Sequence, residues 1–295
     1  MSSAPLPPPP TIEQVCDKAR RLPCAPSLLP KLSAALQSDE SSALEIEQLI
    51  SLDASLAGAT LRLANSAAFA RGKVDSLEEA VFRLGAKEIF RLAALVLVNR
   101  WEAGSGLGPH WAPGDFSRHA LITAIAAEVL AEATGRVTPR TAYTAGLIND
   151  LGKLALAHCC ADYYPAIMEN CRQTGGTWEE AERAVLGYHH GEVSVRLLHA
   201  WNFPPIFASV ADHLLRPAEA PAEVVPLLSH VLAAKYLAVA MGPGVGADGF
   251  LFAVPGSFLT EWGFSSEMLE QAMPVVLERA SARLAEKLTH GAMTF

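Results

Sequence analysis

Apolar residues recur along most of this chain every three or four positions, and strict alternation is rare. Leu49, Leu52 and Leu56 follow that spacing, as do Leu121, Ile125, Val129 and Leu130. Such a period puts apolar side chains on one face of a helix. Alanine is abundant and β-branched runs are short, so the pattern predicts an all-α protein. Helix starts are marked as well. Ser76-Leu-Glu-Glu79 and Thr177-Trp-Glu-Glu180 read as capping boxes, a hydroxyl residue three positions before a Glu. Thr138-Pro139 places proline at a first helical position. Gly85, Gly135 and Gly175-Gly176 mark expected helix ends.

Two glycine-rich stretches interrupt the helical pattern. Residues 102–114 hold four glycines and two prolines, and residues 242–249 hold four glycines. They divide the chain into a proline-rich lead over 1–10, expected to be disordered or polyproline, then a helical part over 11–103. A second helical bundle over 115–241 follows, then an appendix over 250–295 with a helix from about 265 to 288. No tandem repeat of fixed period is present.

Composition narrows the function classes. With 295 residues and 51% hydrophobic content, the chain can bury a sizeable core. A net charge of −8 argues against electrostatically driven binding to nucleic acid or an anionic membrane. The local basic set Arg62, Arg71 and Lys73 reads as a solvated face. The most apolar window, 224–241, contains Pro226, Ser229, His230 and Lys235, which fits a buried helix better than a membrane span. Cys16, Cys24, Cys159, Cys160 and Cys171 form no Cys-x-x-Cys pair and are odd in number, so a reducing cytoplasm is expected. The first ten residues carry neither a positive region nor an apolar one, so a signal peptide is not expected.

The residues with chemistry lie mostly beyond position 114. They are His119, Asn149-Asp150, His189-His190, Asp212-His213 and His230. Residues on separate helices converge only if those helices bundle around one pocket, which is how helical metal sites are built. Other conspicuous residues have plainer readings. Asn65 ends a helix in left-handed geometry. His158-Cys159-Cys160 is packed. Trp178, Trp201 and Trp262 anchor the core.

Several segments, in order, resemble the HDOD family, the "HD-related output domain" proteins of bacterial signalling. They are Leu22-Pro23 through Leu29-Pro30, Leu61-Arg-Leu-Ala-Asn-Ser66 with Phe69, and Ser76-Leu-Glu-Glu-Ala-Val-Phe-Arg-Leu-Gly85. Next come Arg118-His119, Ala145-Gly-Leu-Ile-Asn-Asp-Leu-Gly-Lys153, Val185-Leu-Gly-Tyr-His-His-Gly-Glu-Val193 and Trp201-Asn-Phe-Pro204. The match runs over roughly 20–240, and Leu-Arg-Leu-Ala-Asn-Ser separates it from ordinary HD phosphohydrolases. The resemblance implies an all-α fold in which a helical N-terminal part packs on a degenerate HD-like bundle.

The resemblance also implies a pocket of His119, Asn149, Asp150, Lys153, His190 and His213. His119 and Asp150 match HD ligands, and His190 and His213 fall where the two-metal branch places extra histidines. Asn149 replaces the His of the His-Asp doublet, and an amide is a poor ligand for the transition metals of such sites. The closing Asp, due around His230 to Lys235, is missing. No Gly-Tyr-Pro signature of the cyclic-di-GMP phosphodiesterase branch is present. No metal or other cofactor is therefore expected. Were a metal bound, His119, Asp150, His190 and His213 would hold it. Asp150 is expected to pair with His119, with Lys153 on the same side. The implied function is a non-catalytic signalling module with a protein partner. A small ligand or nucleotide in the pocket and self-association stay open. The alternative is a metal-dependent phosphohydrolase acting on a nucleotide or cyclic dinucleotide.

Overall fold

The computed structural model describes residues 7–21, 28–37, 43–66, 69, 72–104, 112–242 and 256–290, and no strand occurs among them. Leu22-Pro23, Cys24, Arg71, most of the 102–114 stretch and most of the 242–249 stretch lie outside the described residues.

Helices α2 (Leu28–Gln37), α3 (Ala43–Ser51) and α4 (Ala54–Ala64) pack on α5 (Leu77–Gly104). The start of α4 is capped by Asp53, whose Oδ1 accepts from the N–H groups of Ser55 and Leu56, both at 3.0 Å. At its end Asn65 is right-handed (φ −94°), not left-handed as the sequence suggested. Its amide instead clasps the next segment, donating to the Val74 carbonyl (2.9 Å) and accepting from the Val74 N–H (2.8 Å). Gly85 sits within α5 at φ +71°, ψ 164°, and breaks it into two helical stretches. That left-handed backbone explains the glycine. Only half of the capping box expected at Ser76 forms. The hydroxyl accepts from Glu79 N–H (3.1 Å), while the Glu79 carboxylate turns to Arg83.

The bundle is built around α6 (Asp115–Thr134), which packs on α7 (Pro139–Ile148), α13 (Val225–Met241), α15 (Ser266–His290) and α5. Because neighbours surround it, α6 is buried along almost its whole length rather than on one stripe. Its first N–H groups have no side-chain cap from their own segment. Glu102, at the end of α5, supplies one: its buried carboxylate accepts from the N–H groups of Gly114 (2.9 Å), Phe116 (3.2 Å) and Ser117 (3.1 Å). A carboxylate there satisfies orphan donors and suits the positive end of the helix dipole.

Around this centre run α8 (Leu151–Cys159), α9 (Tyr164–Thr174), α10 (Trp178–Leu186), α11 (His190–Ala200) and α12 (Pro205–His213), with a 3₁₀ turn at Ala161–Tyr163. Thr177 forms both halves of its expected capping box with Glu180. Helix α1 (Ile12–Arg20) packs on α8 and α11, so it sits with the bundle rather than with α2–α5. In the proline lead, expected to be disordered or polyproline, the carbonyls of Pro7, Pro8 and Pro10 accept hydrogen bonds from bundle tyrosines. After the short α14 (Gly256–Glu261), α15 returns to α6 and α13, close to the predicted 265–288. Trp101 and Trp201 meet edge to face, centroids 5.3 Å apart, in the core.

Candidate functional site

The site forms where α7 ends and α8 begins. Two glycines of the same segment allow it. A Cβ on Gly152 would lie 1.9 Å from the His190 carbonyl oxygen, and one on Gly146 would lie 2.8 Å from the Thr123 carbonyl oxygen. Only bare backbone lets α8 touch α11 and α7 touch α6 this closely. The Gly152 N–H then donates to Ser194 Oγ at 2.8 Å.

Asn149 closes α7 and Asp150 opens α8. Asp150 does not cap α8 with its side chain. Its Oδ2 instead accepts from Lys235 Nζ at 2.5 Å, and the same ammonium donates to Asn149 Oδ1 at 3.2 Å. Asn149 Nδ2 donates to the Gly146 carbonyl (2.7 Å), which fixes the amide's orientation. All three side chains are buried. Burial works against the Asp150 charge, but Lys235, Lys153 and His190 together hold its carboxyl well below the usual carboxylate range. Burial also lowers Lys235, with Asp150 opposing.

A second layer lies behind this pair. His190, the first residue of α11, has its Nδ1 2.7 Å from Glu182 Oε2, and that oxygen also accepts the His190 N–H at 2.8 Å. Trp178 Nε1 donates to the other Glu182 oxygen at 2.9 Å. His190 Nε2 faces Asp150 Oδ1 at 3.9 Å and Glu179 Oε1 at 3.8 Å. Burial disfavours the imidazolium, but Glu182 and then Glu179 outweigh it, and the His190 pKa is raised. With His190 protonated, three buried carboxylates (Asp150, Glu179, Glu182) face three cations (Lys153, Lys235, His190), and the cluster balances its charge.

The pairing expected of His119 is not what forms. Burial pushes its imidazole down to about 3, so it is neutral at neutral pH, and its Nδ1 is buried without a hydrogen-bond partner. A neutral ring cannot be the counter-ion of Asp150, and Lys235 takes that role. His213 lies on α12 and its Nδ1 contacts the Ser209 carbonyl at 2.8 Å, one turn back on its own helix. Lys153 is buried in the first turn of α8, where its charge acts on Asp150, Glu182 and His190.

Sequence reasoning missed Lys235, Glu179 and Glu182. The signal for Lys235 was its position as a lone charge in the most apolar window of the chain. A buried ammonium demands a carboxylate. Glu179 lies inside the capping box Thr177–Glu180 and Glu182 just after it, where acidic residues read as helix-start signals.

These residues do not fit a divalent metal. The Lys235 ammonium already sits against Asp150 and Asn149, and a metal there would meet a fixed positive charge. No group of three or more His, Cys, Asp or Glu among the described residues is placed to hold a metal ion. His158-Cys159-Cys160 offers no reactive thiol. Burial raises both cysteines, Cys160 to about 12. No described helix is long and apolar enough to cross a membrane.

Comparison with solved structures places this fold among known ones. The chain superposes with TM-score 0.68 on an HDOD domain protein of unknown function from Geobacter sulfurreducens, at 19% identity over 94% of this chain and 96% of that one. It superposes with TM-score 0.63 on a protein from Shewanella amazonensis SB2B described as a "Putative phosphohydrolase", at 23% identity over 95% and 94%. A "Putative signal transduction protein" from Marinobacter aquaeolei VT8 gives TM-score 0.70 at 20% identity, over 95% of this chain and 61% of that longer one. No curated protein matches. The model of the HDOD domain matches residues 22–216, about two thirds of the sequence, and this chain belongs to the HDOD domain family.

Proposed function

We propose that this chain is a non-catalytic regulatory module of a bacterial signalling pathway, working in the cytoplasm through contact with a protein partner. One observation carries the reading: the buried Lys235 ammonium bound to Asp150 and Asn149. The helix from which an HD hydrolase would supply a closing Asp here supplies a cation. A tethered ammonium neutralises Asp150 as a metal would, yet it binds no water for attack on phosphorus and offers no open coordination position. Fold kinship with the Marinobacter aquaeolei "Putative signal transduction protein" is consistent with this role.

The competing reading, a metal-dependent phosphohydrolase, draws on two buried polar atoms with no hydrogen-bond partner, His119 Nδ1 and Asp150 Oδ1. One experiment separates the two. The purified protein is equilibrated with manganese, iron, nickel or zinc, desalted and analysed for metal, then assayed on bis-p-nitrophenyl phosphate. The expected result is substoichiometric metal and no turnover. One or more equivalents of metal that disappear in Asp150→Ala, together with hydrolysis, would overturn the proposal.

A further inference from the structure

The proline lead is seated on the bundle in a way that identifies a ligand class. Tyr163 Oη donates to the carbonyls of Pro7 (2.9 Å) and Pro8 (3.1 Å), and Tyr188 Oη donates to the carbonyl of Pro10 (2.7 Å). Both tyrosines are buried, and their hydroxyls bond the strap. Pro7 and Pro8 are exposed, and Pro9 and Pro10 half-buried.

The chemistry of this contact is that of a polyproline reader. Proline has no N–H, so a proline run offers its surroundings only acceptors. A residue that precedes proline is pushed out of the helical region, so Pro7, Pro8 and Pro9 are each driven to the extended polyproline II form. That form repeats every three residues and leaves its carbonyls without internal partners. Pro7 and Pro10 are three apart, so their carbonyls recur on one side, where two phenolic donors meet them. Preformed extended prolines lose little entropy on docking, which is why aromatic-lined surfaces read them.

We propose that Tyr163 and Tyr188 form a polyproline-reading surface. Its resident ligand is the chain's own Pro7–Pro10, and a proline-rich segment of a partner protein exchanges with it. The strap is held to the bundle by these hydrogen bonds and by its continuity with α1. It runs into Thr11, which caps α1, and α1 packs on α8 and α11. A tethered ligand acts at millimolar effective concentration, so it blocks weak competitors and yields to a stronger or multivalent proline segment. This proposal stands independently of how the Asp150 pocket is read.

The test uses the full chain and a fluorescein-labelled peptide of the sequence Pro-Leu-Pro-Pro-Pro-Pro, read by fluorescence anisotropy. Three proteins are compared: the unaltered chain, a variant with residues 7–10 changed to Gly-Ser-Gly-Ser, and that variant with Tyr163→Phe and Tyr188→Phe added. Removing the resident prolines should tighten peptide binding at least tenfold. Losing both hydroxyls together should then weaken it by about a hundredfold, since one hydrogen bond is worth roughly a factor of ten. Circular dichroism checks that the phenylalanine variants keep their helix content. Equal binding by the first two proteins would overturn the proposal, and so would binding that ignores the hydroxyls. Light scattering supplies a third outcome. An unaltered chain that is dimeric, and monomeric once residues 7–10 are changed, would assign the surface to a second copy of this chain and overturn exchange with a partner.

Discussion

At the scale of single residues, the site turns on Lys235. A buried ion pair is weak evidence for stability, because desolving both charges costs nearly what their attraction returns, yet removing one partner strands the other. Lys235→Met should therefore lower unfolding stability by about 3–5 kcal/mol in urea titrations, and adding Asp150→Asn should recover most of that loss. An unchanged midpoint in Lys235→Met would show that the ammonium is not what holds Asp150. The same residue sets the metal chemistry. The double change Asn149→His and Lys235→Asp restores the HD ligand types and removes the fixed cation, so it should bind manganese where the unaltered chain does not, measured by calorimetry. Protons probe the pocket from another side. His119 is neutral when folded, down to about 3, but takes up a proton near 6.5 when unfolded. The unfolded chain thus binds more protons below 6.5, and stability falls as pH drops from there. His190 has the opposite sign. Its pKa is raised, so its contribution is complete below 6.5 and is lost as pH rises through the folded value. Stability should fall both toward acid, through the lowered histidines, and toward alkaline pH, through His190. His119→Gln should remove up to about 1.4 kcal/mol per pH unit of the acid-side slope between pH 6.5 and 5, with His189 and His230, also lowered by burial, keeping the remainder. An acid limb identical in His119→Gln would show that the ring is charged in the fold.

At the scale of elements, the chain announces its helices better than their packing. Thr177, Thr138 and the glycine ends are local signals, decided by hydrogen bonds within a turn, and they were legible. Glu102 capping α6 from the end of α5 was not legible, because donor and acceptor lie 12 to 15 residues apart across a break. Helix contact is equally silent in sequence, and glycine shows why. Gly58 and Gly152 are both helical glycines, yet they should respond to alanine with opposite sign. At Gly58, in α4, a Cβ meets only the movable end of the Arg62 side chain at 3.2 Å, so Gly58→Ala should gain up to about 1 kcal/mol of helix propensity. At Gly152 the Cβ meets the backbone of α11 at 1.9 Å, and Gly152→Ala should cost about 1–3 kcal/mol or more as the two helices are forced apart. Thermal melts of the two variants decide it. A Gly152→Ala protein as stable as the parent would mean that α8 and α11 do not approach as described.

At the scale of the whole molecule, fold class and family were readable because they rest on periodicity and on motifs spread along the chain. The pocket was half readable. Asp150, Lys153 and His190 converge on one another, whereas His213 turns to its own helix and His119 lies buried and neutral. What sequence concealed was charge balance between distant helices, since a buried cation and its carboxylate can lie 85 residues apart. The same blindness covers an ionic joint between α5, α6 and α15. Glu128, on α6 and buried, takes Lys87 (3.1 Å) and Arg91 from α5, and Arg279 from α15 lies at 4.0 Å. Arg279 also reaches Glu132 at 2.8 Å, and Arg91 stacks over the Tyr143 ring at 5.4 Å. One carboxylate on α6 thus anchors cations from both α5 and α15. Glu128→Ala leaves Arg91 short of its strongest partner in a half-buried place and loosens Arg279, while the Asp150 cluster on α8, α10, α11 and α13 is untouched. The expected result is local. Hydrogen exchange in Glu128→Ala should accelerate at the backbone amides of α15 and of the second half of α5, at least tenfold, with α8 and α11 keeping their protection. Uniform acceleration across all helices would show that Glu128 supports the fold as a whole, and unchanged rates in α15 would show that its apolar face on α6 and α13 suffices without the charge.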